Sequence, residues 1–186
     1  AARTDCTVDM NPVLLKPESD NRSQVVVLRK PVSTLDARSY FRGTLDLWFT
    51  VTRSLDKLRD IFDVVVIEGA GSPAEINLRE NDIANMQTAA LADAAVILVG
   101  DIDFGGVFAQ LIGTMHLLLE EERERVRGFV INKFRGDMDI LKPGLAFLEK
   151  ETGRKVLGVL PYFKDIRLPE EDSIPSPTPG PAVHGE

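Results

Sequence analysis

Asp63-Val64-Val65-Val66-Ile67-Glu68-Gly69-Ala70-Gly71 is the stretch whose reading decides the fold. A run of valine and isoleucine, bounded by turn residues, is the pattern of a short strand buried on both faces. Glu68 then stands at the carboxyl edge of a parallel sheet, which is where ligands bind in open α/β folds. Gly69 and Gly71 carry no Cβ and let a ligand approach the backbone. An acid at such an edge either holds a cation, with Mg²⁺ bringing the phosphates of a nucleotide, or simply faces water beside two turn glycines.

Further apolar runs repeat the pattern. Ala95–Val99, Phe129–Ile131 and Val156–Leu160 read as strands, with Pro161 closing the last. Between them lie helical segments: Leu45–Phe62, with Trp48, Val51, Leu55, Leu58 and Phe62 on one stripe, then Ile83–Leu91 capped by Asp82, Val107–Leu119, and Ile140–Thr152 stopped by Gly153. Pro143 and Gly144 are expected to interrupt that last helix early. Glu120–Arg127 reads as a solvated helix end. Four strands alternating with helices predict an α/β fold, a doubly wound and mostly parallel sheet with helices on both faces. Upstream, Met10–Pro17 is a short extended patch, and Gln24–Leu28 a further strand that Pro31 ends. Residues 1–168 are expected to form this domain. Residues 169–186, acidic and then rich in proline, read as a linker or disordered tail.

The net charge is -7 and 44% of residues are hydrophobic, which argues against broad nucleic-acid or anionic-membrane binding. No apolar run approaches a membrane span and no signal peptide is evident, so the chain reads as cytoplasmic. Beginning Ala1-Ala2-Arg3, it reads as a piece of a longer protein. Cys6, His116 and His184 form no nucleophilic set.

Three strand ends carry polar clusters on one expected edge: Glu68 with its glycines, Asp101 with Asp103, and Asn132 with Lys133. Asp101 and Asp103 either hold a metal or its waters, or cap the following helix. Gly105-Gly106 either offers free amides to an anion or makes a tight turn. Asn132 either reads a nucleotide base through its amide or is a satisfied loop residue beside a surface lysine. No G-x-x-x-x-G-K-[ST] phosphate loop occurs in these residues.

In order along the chain, Met10–Pro17, Glu68-Gly69-Ala70-Gly71-Ser72-Pro73-Ala74-Glu75-Ile76-Asn77-Leu78, Asp101-Ile102-Asp103, Gly105–Ala109, Asn132–Gly136 and Gly158–Pro161 resemble the cobyric acid synthase family. The resemblance runs from about residue 8 to Asp172. It implies a dethiobiotin synthetase-like, P-loop-type domain that uses ATP and Mg²⁺ to phosphorylate carboxylates of a corrinoid, adenosylcobyrinic acid a,c-diamide. Ammonia from a class I glutamine amidotransferase domain, not in this chain, then displaces the phosphate. On that resemblance Glu68 is a Mg²⁺ ligand and, with Glu75 and Asp101, catalytic. Gly69, Gly71, Gly105, Gly106, Asn132 and Lys133 bind the cofactor. Asn11, Lys16, Asn77 and Asp103 attend the substrate. It further implies a phosphate-loop segment before Ala1 and a glutaminase domain after Asp172, so the chain alone is expected to be inactive. It implies a basic residue where Phe104 stands. A missing interior strand would expose an edge, so either association, as in a homodimer, or marginal stability is expected. The rival reading is a non-catalytic binding module of the same fold. A partitioning-type ATPase is disfavoured by the acidic balance.

Overall fold

A computed structural model describes residues 4–19, 22–36 and 44–164. The proline-rich tail lies outside the described residues. The parallel sheet contains β4 (Val96–Asp101), β5 (Val126–Phe134) and β6 (Lys155–Pro161), in that order. Helices α3 (Val107–Leu117) and α4 (Glu120–Arg125) lie between β4 and β5, and α5 (Met138–Thr152) lies between β5 and β6. This is the α/β class expected, a parallel sheet flanked by helices.

The core explains why these runs became strands. Val126, Phe129 and Ile131 of β5 and Leu148 of α5 are all 0% exposed, and they pack with Leu98 of β4 and with Val107, Leu111 and Met115 of α3. Two glycines permit the close packing. A Cβ at Gly100 would meet Val107 and Leu111 of α3, and one at Gly128 would meet the backbone carbonyl of Lys155 at 2.6 Å. The other face of the sheet is open among the described residues: Ile97, Val99 and Leu157 are largely exposed.

Helix α5 starts at Asp137, whose carboxylate accepts from the Asp139 N–H at 2.8 Å, and stops at Gly153 with φ 66°. It runs through Pro143, its sixth residue, without the expected break. Gly144 has a packing reason instead: a Cβ there would collide with the Phe108 ring of α3.

Upstream is a second sheet that the periodicity did not predict as a unit. β1 (Val13–Ser19), β2 (Arg22–Val27) and β3 (Lys30–Asp36) form an antiparallel meander. The strand does end before Pro31, but the cause is Leu28 and Arg29, which take φ 48° and 65° in the β2–β3 turn. Pro31 itself sits in β3, an edge strand, and Pro17 in β1, the other edge, where a missing N–H is tolerated. Val25 is buried against Leu47 of helix α1 (Thr44–Ile61) and Ile83, with Trp48 and Val51 packed around them. The α1 stripe is therefore the one its spacing predicts. The short helix α2 (Met86–Leu91) begins three residues later than expected. The Asp82 carboxylate nonetheless accepts from the N–H groups of Ala84, Asn85 and Met86, as a capping acid does.

One expectation is corrected. Residues 64–68, read as a buried strand, pair with nothing among the described residues, and Val64 and Val66 are 78% and 89% exposed. The apolar run has the composition of a strand, but a strand exists only through hydrogen bonds to neighbours, and no described strand lies against it.

Candidate functional site

The carboxyl ends of β4 and β5 do converge. Their register sets Asp101 directly opposite Asn132. The Lys133 ammonium donates to Asp101 Oδ2 at 2.6 Å, while the Asp103 N–H donates to Asp101 Oδ1 at 2.9 Å. Two residues further along each strand end the motif repeats: Arg135 Nη2 donates to both oxygens of Asp103, at 2.5 and 2.7 Å. The spacing of two on both chains puts each acid beside a base. The Ile102 N–H donates to the Asn132 carbonyl at 3.1 Å, tying the two loops together.

Aromatic rings complete the rim. The Arg135 guanidinium lies 3.8 Å from the centre of the Tyr162 ring, and Tyr162 is fixed by its N–H donating to the Phe134 carbonyl at 2.9 Å. The Lys133 ammonium lies 5.5 Å from the Phe104 ring. Phe104, standing where the resemblance implies a base, is 84% exposed and carries no charge; the bases here are Lys133 and Arg135, each paired with an acid. The Asn132 amide oxygen accepts from the Lys133 N–H at 2.9 Å. Lys133 takes φ 60°, a left-handed conformation that only Gly and Asn adopt readily. Such backbone strain concentrates at ligand sites.

Gly105 and Gly106, at φ 77° and 71°, lead into α3. A Cβ at either would meet nothing within 4 Å, so these glycines are required by the positive φ of the turn, and the Gly105 N–H is spent within it, donating to the Ile102 carbonyl at 3.1 Å. The tight-turn reading therefore describes them.

The charges influence each other. The hydrogen bond from Lys133, then that from the Asp103 N–H, hold the Asp101 carboxyl below its usual 3.8, against a smaller opposing effect of burial. The Asp101 partner in turn raises Lys133 above its usual 10.5. The pair thus contributes to the fold above the ordinary carboxylate value and is lost as pH falls through the lowered native one. At the alkaline end it is present below 10.5 and lost as pH rises through the raised lysine value. We expect a ¹³C-detected NMR titration to place the Asp101 midpoint below 3.8, and Lys133→Met to return it part of the way. An unchanged midpoint in that variant would show that the lysine is not the cause.

The other expected site residues lie elsewhere or stand alone. Glu68 is exposed and has no hydrogen bond or ion pair among the described residues. Glu75 folds back on its own loop, accepting from the Ser72 N–H at 3.3 Å. Gly71 takes φ 63°, and Gly69 approaches Asn85 too closely for a Cβ. The Asn85 amide donates to the Ala70 carbonyl at 2.7 Å and holds this loop. Asn77 is exposed. Asn11 and Lys16 lie before and within β1, both exposed. Among the described residues no three His, Cys, Asp or Glu side chains group as a metal site. Sequence reasoning gave no role to Arg135, Tyr162 or Phe104. The paired spacing of Asp101/Asp103 and Lys133/Arg135 was the available signal for the first. Among the described residues no helix is long and apolar enough to cross a membrane.

A family model described as an AAA domain matches residues 4–170. Among similar proteins, the cobyric acid synthase of Sorangium cellulosum is 62% identical over 94% of this chain and 34% of its own length. That of Carboxydothermus hydrogenoformans is 57% identical over 90% of this chain and 34% of its own. A probable cobyric acid synthase of Thermococcus kodakarensis is 54% identical over 94% of this chain and 36% of its own. No solved structure matches. The chain spans about a third of the length of the curated relatives it matches. By the residues it shares with that model, the chain belongs to the AAA domain family.

Proposed function

We propose that this chain is the nucleotide-handling part of an ATP- and glutamine-dependent ligase that amidates carboxylate side chains of a corrinoid, adenosylcobyrinic acid a,c-diamide, in cobalamin biosynthesis. The observation that carries the reading is the juxtaposition of Asp101, Asp103, Asn132, Lys133 and the Gly105-Gly106 turn at one sheet edge, in a chain 62% identical to a cobyric acid synthase.

A carboxylate is a poor electrophile. In the proposed reaction one of its oxygens attacks the γ-phosphorus of ATP and ADP leaves. Ammonia, delivered from a glutamine amidotransferase domain outside this chain, then attacks the acyl carbon. Inorganic phosphate departs and the nitrogen loses a proton to give the amide. The donor set fits Mg²⁺, which takes one or two carboxylates and completes its shell with water and phosphate oxygens rather than needing an all-protein cage. Glu68 would hold it, with Asp101 and Asp103 in support, and bound there it would neutralise charge on the transferring phosphoryl group. Lys133 and Arg135 balance the charge of Asp101 and Asp103 and orient them. The Gly106 N–H, at the start of α3, is offered to the anion. Asn132 addresses the base. Glu75 and Asn77 on the loop after Glu68, with Asn11 and Lys16 before and on β1, attend the corrinoid carboxylate.

The test is amide NMR of the chain titrated with ATP in the presence of Mg²⁺. Resonances of Asp101, Gly105, Gly106 and Asn132 should shift together, and Glu68→Gln should weaken the Mg²⁺ dependence. Shifts confined to other surfaces would favour a non-catalytic binding module and overturn the reading.

A further inference from the structure

We infer that Asn85 is a positioning residue. Its side chain clasps the loop between Ala70 and Asn85 shut, so that Glu68, just before the loop, and Glu75 and Asn77, on it, keep one fixed relation. Gly69 is glycine to make room for that clasp, not for a ligand.

The use made of Asn85 departs from its local setting. It stands at the N-cap of α2, where an asparagine side chain ordinarily accepts from an amide of the first helical turn. Here it makes no such bond. Asp82 takes that duty, accepting from the N–H groups of Ala84, Asn85 and Met86. The Asn85 amide is thereby released to reach fifteen residues back and donate to the Ala70 carbonyl at 2.7 Å. It also donates to Asp82 Oδ1 at 3.3 Å, so the acid that caps the helix aims the clasp.

Gly69 is the complementary half. A Cβ there would overlap Asn85 Oδ1, with Asn85 Cγ at 3.4 Å and the Ala84 carbonyl at 3.6 Å. Its φ is not in the left-handed region, so want of room is what excludes a side chain. Among the described residues the hydrogen bond nearest to Glu68 is the one this clasp makes, two residues on.

The far side of the loop is fastened as well. In the 3-10 turn Arg79–Asn81, the Arg79 guanidinium donates to the Leu117 carbonyl at the end of α3 at 2.6 Å and lies 3.6 Å from Glu122 of α4. The Arg79 carbonyl accepts from Gln87 Nε2 at 3.3 Å. Closed at the neck and fastened at the back, the segment is a compact Ω-loop. Opening the neck would free Glu75 and Asn77 to drift from Glu68, and a displacement of about 1 Å in a positioned group can cost on the order of 10²-fold in rate.

The rate consequence rests on the proposed amidation; the clasp does not, and the two are tested separately. In the chain itself, the Glu75, Ile76 and Leu78 amides, whose bonds lie inside the loop, should exchange with deuterium about 2–10-fold faster in Asn85→Ala and in Gly69→Ala. Asn85→Asp, which keeps the shape but has no N–H to donate, should do the same. In a hybrid that carries residues 4–164 in place of the matching region of the Sorangium cellulosum relative, these three variants should lower kcat for corrinoid amidation by about 10–100-fold, with KM for ATP within about threefold. Gly69→Ala combined with Asn85→Ala should be no worse than Asn85→Ala alone, because of the three nearest atoms only the Ala84 carbonyl remains, at an ordinary contact distance. An equal further loss from Gly69→Ala with and without the Asn85 amide would show that the glycine serves a ligand, and would overturn the inference. So would unchanged exchange in Asn85→Ala, an Asn85→Asp hybrid working at the unsubstituted rate, or a KM for ATP that rises as far as kcat falls. An unsubstituted hybrid that amidates no corrinoid would overturn the amidation reading instead, with exchange still deciding the clasp.

Discussion

Phe129→Ala is expected to lower the stability of the chain by about 3–5 kcal/mol. Phe129 sits in the middle of β5, between Leu98 of β4 and Val156 of β6 in the register, and none of its surface reaches water. Its removal deletes the transfer free energy of the ring and leaves a cavity lined by residues that are themselves fixed. Leu148 and Ile131 are fully buried too, and Gly128 next to it allows β6 no room to shift inward. Chemical denaturation of the variant, with an unchanged slope against denaturant, checks this. Phe49→Ala is the matched control. Phe49 is 68% exposed on α1, and its loss should change stability by no more than about 0.5 kcal/mol. Equal losses from the two variants would mean that the parallel sheet is not where the folding free energy resides.

The second large effect concerns activity. In a hybrid in which residues 4–164 replace the matching region of the Sorangium cellulosum relative, Asp101→Asn is expected to lower kcat for ATP-dependent corrinoid amidation by about 10²–10³-fold, the scale seen when one preorganised electrostatic group is removed from a reacting centre. The corrinoid KM should change little, because Asp101 lies at the β4 edge, opposite Asn132, and not on the β1 side. Asparagine keeps the shape and still accepts from the Asp103 N–H, so folding is spared and the lost quantity is charge. Arg135→Ala should cost less, since it acts through Asp103. A fall of less than tenfold for Asp101→Asn would remove this residue from the proposed machinery.

These expectations draw on different sources. The strands read at Ala95–Val99 and Phe129–Ile131 were legible as the centres of β4 and β5 because interior parallel strands need apolar runs, while Val126 and Arg127, read as part of a charged helix end, hid the start of β5. The α1 stripe and the stop at Gly153 were readable for similarly local reasons. The antiparallel sheet was obscured because its turn uses Leu28 and Arg29 in left-handed conformations, where glycine or asparagine is the usual marker, and because Pro17 and Pro31 look like breakers until their strands are known to be edges. Within the site, Asp101, Asp103, Asn132 and Lys133 were legible as strand-end polar residues. That Lys133 bonds Asp101, and that Arg135 links Asp103 to the Tyr162 ring, was not, because those contacts join positions about thirty residues apart.

Taken by itself, the order of residues determined the α/β class, the parallel β4–β5–β6 core and the edge at which polar groups gather. Each of these follows from local pattern: apolar runs, helical spacing and what stands at the end of a strand. Only the tertiary structure decided that residues 64–68, the most strand-like letters in the chain, go unpaired among the described residues, and that Asp101 and Asp103 are each matched with a base. Pairing is a property of two backbones at once, and one segment's composition cannot specify whether its neighbour is there.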